Sequence, residues 1–581
     1  MSFSSSQEKS LSSPEAEITP GGDHVLGVPE FYIDGKVNFV GEQGGNGAQA
    51  TIQDVSGAPV ESQNPLGYSV GWWSALFLNI TMLIGTGIFS FPYTASSLLK
   101  SLGSVGLALI YWPIGLLISL AGISVYLEFA SYFPSRSGAE VVYLEQAFRR
   151  PKYFFPVAFA VQTVILSFVS SNVIVVASYI FKMTDHTPSG WESKGVGIAA
   201  LTILCLPIWF STKWTLRLSN FCGIAKIITM LLIIIPGFVA LGGHLKAVPD
   251  PKANFRNAFE GTTNNGYSLS NALVSIIFSY GGYTNSFNVA NEIKNPIKTI
   301  KRTANTAVIF VAALYMLANI AYFAVLTKEE IKGSTQVTAS IFWSKLFGDR
   351  AAKGLTILPV LSASSNILTV MVGHTRMIRE IGRQGVLPYP RFWVTTWPFG
   401  TPTGAIIVIW IVSFIVIVAP PAGSAFSFIV ALQNYPSSFF LALMTLGLFI
   451  VRRDRKRLNL PRPEYRSWTV VVLFFLAANL FLIIMPWVPP PGGINNSSFG
   501  FFYGASSLAG LGIVFLCAFY FVLWSKLFPK LGGYQLRQVV ISLPDGSLSH
   551  QLIKVRNDEV EEWDAKHDLS GRSLRENEFR A

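Results

Sequence analysis

Two stretches of the sequence carry paired glycines inside otherwise apolar runs. The first is Ile84-Gly85-Thr86-Gly87-Ile88-Phe89, followed by Pro92. The second is Phe278-Ser279-Tyr280-Gly281-Gly282-Tyr283-Thr284-Asn285. Glycine pairs weaken a helix, and an interrupted helix exposes backbone N–H and C=O groups. Freed N–H groups at Gly85–Gly87 form a half-helix N-terminus that attracts a carboxylate. Freed carbonyls near Phe278–Gly281 attract an ammonium. A small zwitterion fits between the two, so an amino acid is the natural ligand. Small residues also serve close helix packing in membranes, and for one break alone that reading competes evenly. Two breaks at matching places favour a site. A third feature is Lys226, a single cation in an apolar run. Burying such a charge costs a few kcal/mol or more, which makes it a functional candidate. Either it gains and loses a proton in a working cycle, or it stays as a fixed cation; the alternative is snorkelling to the interface.

The elements that must position these residues follow from composition. The chain has 581 residues, of which 51% are hydrophobic and only 13% charged, against about a quarter charged in a soluble domain. That excludes a soluble enzyme, a disordered chain and a nucleic-acid binder, although the net charge is +12. Twelve apolar runs are long enough to cross a bilayer: 72–99, 104–127, 154–181, 195–211, 218–242, 268–290, 303–327, 354–375, 402–420, 424–450, 467–488 and 499–525. They are read as helices, because strands of a barrel would alternate and be shorter. The expected fold is an all-α polytopic membrane protein with discontinuous helices 1 and 6.

Breaks in the first and sixth spans imply two five-helix repeats, 72–242 and 268–450, the second inverted, with helices 11 and 12 at 467–525. Secondary transporters hold substrate at such a repeat interface. The transporter domain is expected over 71–526. Residues 1–70 carry nine acids and two bases in Ser-, Gly- and Pro-rich sequence, and are expected to be a disordered tail without a signal peptide. Lys and Arg concentrate in the loops on the side of both tails, as at Arg452-Arg453-Asp454-Arg455-Lys456-Arg457, so both termini are expected in the cytoplasm. In the tail 527–581, β-prone sequence over 535–555 flanks an Asp545-Gly546 turn and predicts a hairpin. Cys205, Cys222 and Cys517 are too few for a disulfide framework and are read as packed thiols.

At these residues the chain resembles the amino acid–polyamine–organocation superfamily, which shares the fold of the bacterial leucine transporter. Within it the chain is similar to the L-type amino acid transporter branch, and most to the fungal high-affinity methionine permeases. Four stretches carry the resemblance: Ile84 to Phe89; Tyr126-Leu127-Glu128-Phe129 with Pro134-Ser135-Arg136-Ser137-Gly138-Ala139-Glu140 and Tyr143-Leu144; Phe278 to Tyr283 through Asn291-Glu292-Ile293-Lys294-Asn295-Pro296; and Arg376, Arg383, Gly385, Leu387 and Pro388. It covers about 70–530. The resemblance implies that Gly85, Thr86 and Gly87 bind the substrate carboxylate through their backbone. It implies that Phe278, Ser279, Tyr280, Gly281 and Tyr283 line the rest of the site, with Phe278 also gating the external side. It further implies that Lys226 stands where related transporters bind sodium. Two departures, Tyr283 for a tryptophan and Asn291-Glu292 for paired glutamates, fall at the side-chain pocket and the inner gate.

The remaining candidates are minor. Glu128 is expected to pair with an arginine of the tail side, and His374 to be an interfacial histidine. Asn434 is expected to bond a neighbouring helix across the Pro436 kink, with the cavity as its alternative. Asn495 and Asn496 open N-x-S sequons close to the membrane. Neither a Walker loop nor a metal-binding motif appears, so neither cofactor, metal nor enzyme chemistry is expected, and transport should be gradient-driven. The expected function is import of neutral amino acids, methionine or another sulfur-containing one, by alternating access across the plasma membrane, with a proton as the partner ion. An exchanger of the same fold and a nutrient sensor are the alternatives. The segment 182–194 has no cysteine for a disulfide partner, which argues against the exchanger of the animal type. Lys9, Lys36, Lys554 and Lys566 are candidate acceptors for a ubiquitin ligase and its adaptor.

Overall fold

The computed structural model describes residues 30–33, 36–44, 50–61, 64–85, 88, 95–184, 186–333, 338–419, 425–490, 493, 502–567 and 571. Three strands come first: β1 (Glu30–Ile33), β2 (Lys36–Gln43) and β3 (Ala50–Asp54). Then follow α1 (Trp72–Leu83), α2 (Ala95–Leu102), α3 (Val105–Tyr132), α4 (Glu140–Ala147), α5 (Phe154–Ile165), α6 (Ser170–Thr184), α7 (Gly190–Phe210) and α8 (Thr212–Leu241). The second half holds α9 (Gly266–Ser279), α10 (Asn285–Asn288), α11 (Pro296–Val325), α12 (Lys328–Gly333), α13 (Thr338–Phe347), α14 (Asp349–Leu355), α15 (Ile357–Arg383) and α16 (Pro390–Val394). The chain continues through α17 (Thr403–Val418), α18 (Ala425–Arg457), α19 (Thr469–Ile484), α20 (Ala505–Val522) and α21 (Phe528–Gly532). It closes with β4 (Tyr534–Ser542), β5 (Leu548–Arg556) and α22 (Val560–Lys566).

Among the described residues, nine helices are long and apolar enough to cross a membrane, and three shorter apolar helices, α1, α9 and α17, accompany them. Their outer faces expose large apolar side chains that water would not tolerate in such number, as at Phe221, Phe515 and Phe519. The chain is thus a multi-pass helical membrane protein. Local sequence sets the helix starts. Ser189 and Glu192 form a reciprocal capping box before α7, with Ser189 N–H donating to Glu192 Oε2 at 2.7 Å. Pro296 sits in the first turn of α11, where a missing N–H costs nothing. Cys205, Cys222 and Cys517 are free and buried.

One expectation needs correcting. The sequence predicts a disordered tail over 1–70; residues 1–29 lie outside the described residues, but within 30–54 β1, β2 and β3 pair antiparallel in the order β1-β2-β3. The reason is local: Phe39 is buried against Leu458 and Leu460 beyond the end of α18, and Thr51 Oγ1 donates to Tyr132 O at 3.1 Å. An acidic, Ser-, Gly- and Pro-rich composition hid a short apolar stripe that the helical body covers. The strands β4 and β5 pair antiparallel over their whole length, around a turn containing Asp545 and Gly546.

Candidate functional site

The first apolar run is not one helix. α1 ends at Leu83, and the last regular bond runs from Ile84 N–H to Ile80 O at 2.8 Å. Gly85 N–H closes a tight turn onto Leu83 O at 2.8 Å, and the carbonyls of Thr81, Met82 and Ile84 need other donors. Lys226 of α8 supplies two of them, with Nζ 2.6 Å from Thr81 O and 2.6 Å from Ile84 O. Asn366 Nδ2 of α15 lies 3.1 Å from Thr81 O and 2.8 Å from Met82 O. The Tyr315 hydroxyl of α11 donates to Leu83 O. Lys226 is 1% exposed, and its Nζ meets a helix C-terminus, where carbonyl dipoles favour a cation. α1 packs against α8, α11 and α15, which is why these three helices provide the donors.

The sixth run breaks as well. α9 stops at Ser279, and the Tyr280 N–H bonds back to Ile276 O. A glycine turn follows before the short α10. Gly282 has φ +136°, and an added Cβ would stand 2.9 Å from Met82 Cβ and 3.0 Å from Leu83 N. Only glycine lets the two breaks approach this closely. The hydroxyl of Tyr315 also stands 3.1 Å from Ser279 O, so one side chain touches both breaks. A second tie runs from Asn79 Nδ2 to Ser286 Oγ at 3.1 Å, returned from Ser286 N–H to Asn79 Oδ1 at 3.2 Å.

A cavity of about 350 Å³ lies between the breaks and extends toward the face on which both tails pack. Of the residues expected in the site, Gly85, Phe278, Ser279, Gly281 and Tyr283 line it. Thr86 and Gly87 lie outside the described residues. Tyr280 is corrected: its ring is buried in the scaffold, its hydroxyl donates to Trp112 O at 3.1 Å, and it does not line the cavity. The helix turn at Ser279 carries residue 280 to the opposite side. Lys226 is also not a lining residue; it stands behind α1 and holds the break from outside the cavity. Asn434 lines the cavity, with Nδ2 lacking a partner among the described residues, so its reading as a tie between helices is corrected. His374 lines it too. The sequons at Asn495 and Asn496 lie outside the described residues.

Below the cavity, a buried ion network closes the tail face. Arg376 Nε meets Glu292 Oε1 at 2.8 Å, and Ser69 Oγ donates to Glu292 Oε2 at 2.6 Å. Arg136 pairs with Glu380 at 2.6 Å and Glu145 at 3.1 Å, and Arg379 with Glu61 at 2.5 Å. Glu128 pairs with Arg452 at 2.6 Å, as the sequence led us to expect. Asn366, Tyr315 and Glu61 were missed. For Asn366 and Tyr315 the signal was visible: an amide and a hydroxyl inside apolar runs need partners. For Glu61 none existed, because its partner is 318 residues away.

Comparison with known proteins agrees with this geometry. Residues 70–525 match the family model for amino acid permeases. The high-affinity methionine permease of Saccharomyces cerevisiae is 35% identical over 86% of this chain and 86% of its own. The low-affinity methionine permease of the same yeast is 28% identical over 90% of this chain and 96% of its own. The b(0,+)-type amino acid transporter 1 of Mus musculus is 27% identical over 73% of this chain and 83% of its own.

Proposed function

This chain belongs to the amino acid permease family, and from that premise we propose that it imports neutral amino acids, methionine foremost, across the plasma membrane with both termini in the cytoplasm. The observation that carries this reading is the pair of facing helix breaks on one cavity, at Ile84–Gly85 and at Ser279–Thr284. The likeness to two methionine permeases supports the choice of substrate. Substrate carboxylate binds the backbone at Gly85, Thr86 and Gly87, and its ammonium binds the carbonyl side of the Phe278–Gly281 turn. Phe278 closes the external side, and Ser279 and Tyr283 complete the pocket wall. Lys226 is the fixed cation that keeps α1 open, in the place of a metal ion. The three shorter apolar helices complete a twelve-span, inverted five-plus-five plan, and import is driven by a proton gradient through alternating access.

The test is uptake of labelled methionine, leucine, lysine and a polyamine into proteoliposomes, with and without an inward pH gradient. Methionine should be taken up and concentrated only with the gradient. Uptake of lysine or the polyamine in preference to methionine would overturn the substrate class, and equal uptake without a gradient would overturn the coupling.

A further inference from the structure

Glu140 opens α4 and lines the tail-side end of the cavity, together with Tyr126 and Tyr283. Its Oε1 accepts the hydroxyl of Tyr126. Its Oε2 is buried and has no partner among the described residues. The groups around it come from four elements. Tyr126 faces it from α3, Tyr283 from the turn after α9, and Tyr143 from α4 itself. From α15, His374 and Met377 face the same cavity. The neighbouring cations are committed elsewhere: Arg136 to Glu145 and Glu380, Arg383 to Glu380, and Arg376 to Glu292. Among the described residues, Glu140 thus has a cavity in front of it and no counter-ion, whereas Lys226 has two carbonyls as partners and does not line that cavity.

Such a carboxyl pays for its charge in desolvation. Burial pushes it above the ordinary carboxylate range, against the opposing hydrogen bond from Tyr126. Its position also reaches the second break. The Tyr126 ring lies 6.1 Å from the Tyr283 ring and 5.3 Å from that of Phe287, centroid to centroid. Gly138 N–H, just before α4, donates to Asn288 O of α10 at 3.3 Å.

We propose that Glu140 is the carboxyl that carries the transported proton, and that Tyr126 transmits its protonation state to the broken sixth span. This deepens the permease reading, on which it rests, by assigning its coupling group. In the ionised state Oε1 accepts the Tyr126 hydroxyl. Protonation forms one O–H bond at Oε2 while one O–H bond of a hydronium ion in the cavity breaks and leaves neutral water, and the carboxyl becomes neutral. When the cavity opens to the tail side, that O–H bond breaks and the proton passes to water there. No other bond changes.

Two measurements test it. The first needs no substrate: the protonated-carboxyl infrared band of the purified protein, followed against pH. The wild type should show a titrating band that Glu140→Gln lacks. Tyr126→Phe removes a hydrogen bond that favours the charged form, so it should move the midpoint to higher pH. A band unchanged in Glu140→Gln, or a midpoint unmoved in Tyr126→Phe, would overturn the proposal. The second is accumulation of labelled methionine in proteoliposomes. One coupled proton supports at most about tenfold accumulation per unit of pH gradient. Glu140→Gln should abolish that accumulation while methionine counterflow persists, and Glu140→Asp should restore it in part. A titrating Glu140 in a wild type that moves no methionine would overturn the substrate reading alone. Gradient-driven accumulation that survives Glu140→Gln would overturn the Glu140 assignment alone.

Discussion

The middle of the membrane and the tail face handle buried cations in opposite ways. At mid-membrane, Lys226 has two backbone carbonyls at 2.6 Å and no carboxylate partner among the described residues. At the tail face, Arg136, Arg376, Arg379 and Arg383 meet Glu61, Glu145, Glu292 and Glu380, and several pairs share a partner. The difference teaches what each region is for. A lone lysine Nζ meets two carbonyls at the open end of α1, the place where Lys226 is proposed to act as a fixed cation. A network of arginines and carboxylates joins α4, α15 and the N-terminal segment, and holds several elements in one register. The first rests on a single cation, helped by Asn366 at Thr81 O, whereas in the second Glu61 and Glu380 each meet two arginines.

Breaking the comparison at its unshared end should have the largest effect. Lys226→Ala leaves the Thr81 and Ile84 carbonyls buried without this donor. Asn366 still donates to Thr81 O and Ser362, at 3.4 Å, to Ile84 O, so the loss is one strong donor at each carbonyl, about 1–3 kcal/mol in all, and the opened end of α1 loses the group that joins the two. Methionine uptake should vanish at every pH, with a lowered melting temperature in detergent. Uptake that persists at wild-type rate would show that the break holds itself open. At the tail face, removing one member strands its partner. Arg376→Ala leaves Glu292 charged and buried, which costs about 3–5 kcal/mol. The double variant Arg376→Met with Glu292→Gln should recover much of that loss in melting temperature, a rescue with no counterpart at Lys226.

Between these extremes stands the contact of the two breaks. Gly282→Ala places a methyl group against Met82 and Leu83 N at about 3 Å, in a backbone region that L side chains rarely adopt. The strain is about 1–3 kcal/mol, and pushing the breaks apart should raise the methionine KM about tenfold while leaving the protein folded. Tyr315→Phe removes the hydroxyl that touches both breaks, a loss of about 1 kcal/mol. An unchanged KM in both variants would mean that the spacing of the breaks does not set substrate affinity.

How much of this was legible in the sequence follows the same division. The breaks were legible because glycine pairs in an apolar run are a local signal, and so was Lys226, because a charge there has to be explained. What holds the breaks was not. Lys226 is 145 residues from Thr81, and Asn366 is 285 residues from it; no period or motif encodes such pairings. Tyr280 was misplaced because adjacency along the chain says nothing about the side of a broken helix. The N-terminal strands were hidden for another reason. Their apolar stripe is too short to stand alone and is completed by Leu458 and Leu460, so composition alone reads as disorder. The tail-face network shows the limit plainly: Arg383 with Glu380 is a local pair, but Glu61 lies 318 residues from Arg379 and Arg136 lies 244 from Glu380.

The smallest expected effect lies at the edge of the tail face, where the β4–β5 turn docks. Asp545 accepts from Thr396 Oγ1 at 2.8 Å, from Thr396 N–H at 3.3 Å and from Ser547 N–H at 3.0 Å. Burial pushes its carboxyl up, but these hydrogen bonds outweigh burial and hold it below the ordinary carboxylate value. A carboxyl depressed by docking stabilises the docked form above its undocked value, and that contribution is lost as pH falls through the docked value. The hairpin should therefore stay tightly docked at neutral pH and loosen only below about pH 4. Asp545→Asn removes the charge at every pH, and solvent screening at this exposed residue limits the loss to less than about 1 kcal/mol. Hydrogen exchange at the amides of β5 should quicken several-fold at neutral pH, with methionine uptake near the wild-type rate. Faster exchange accompanied by lost uptake would tie the hairpin to the transport cycle and make the tail face less redundant than its ion pairs imply.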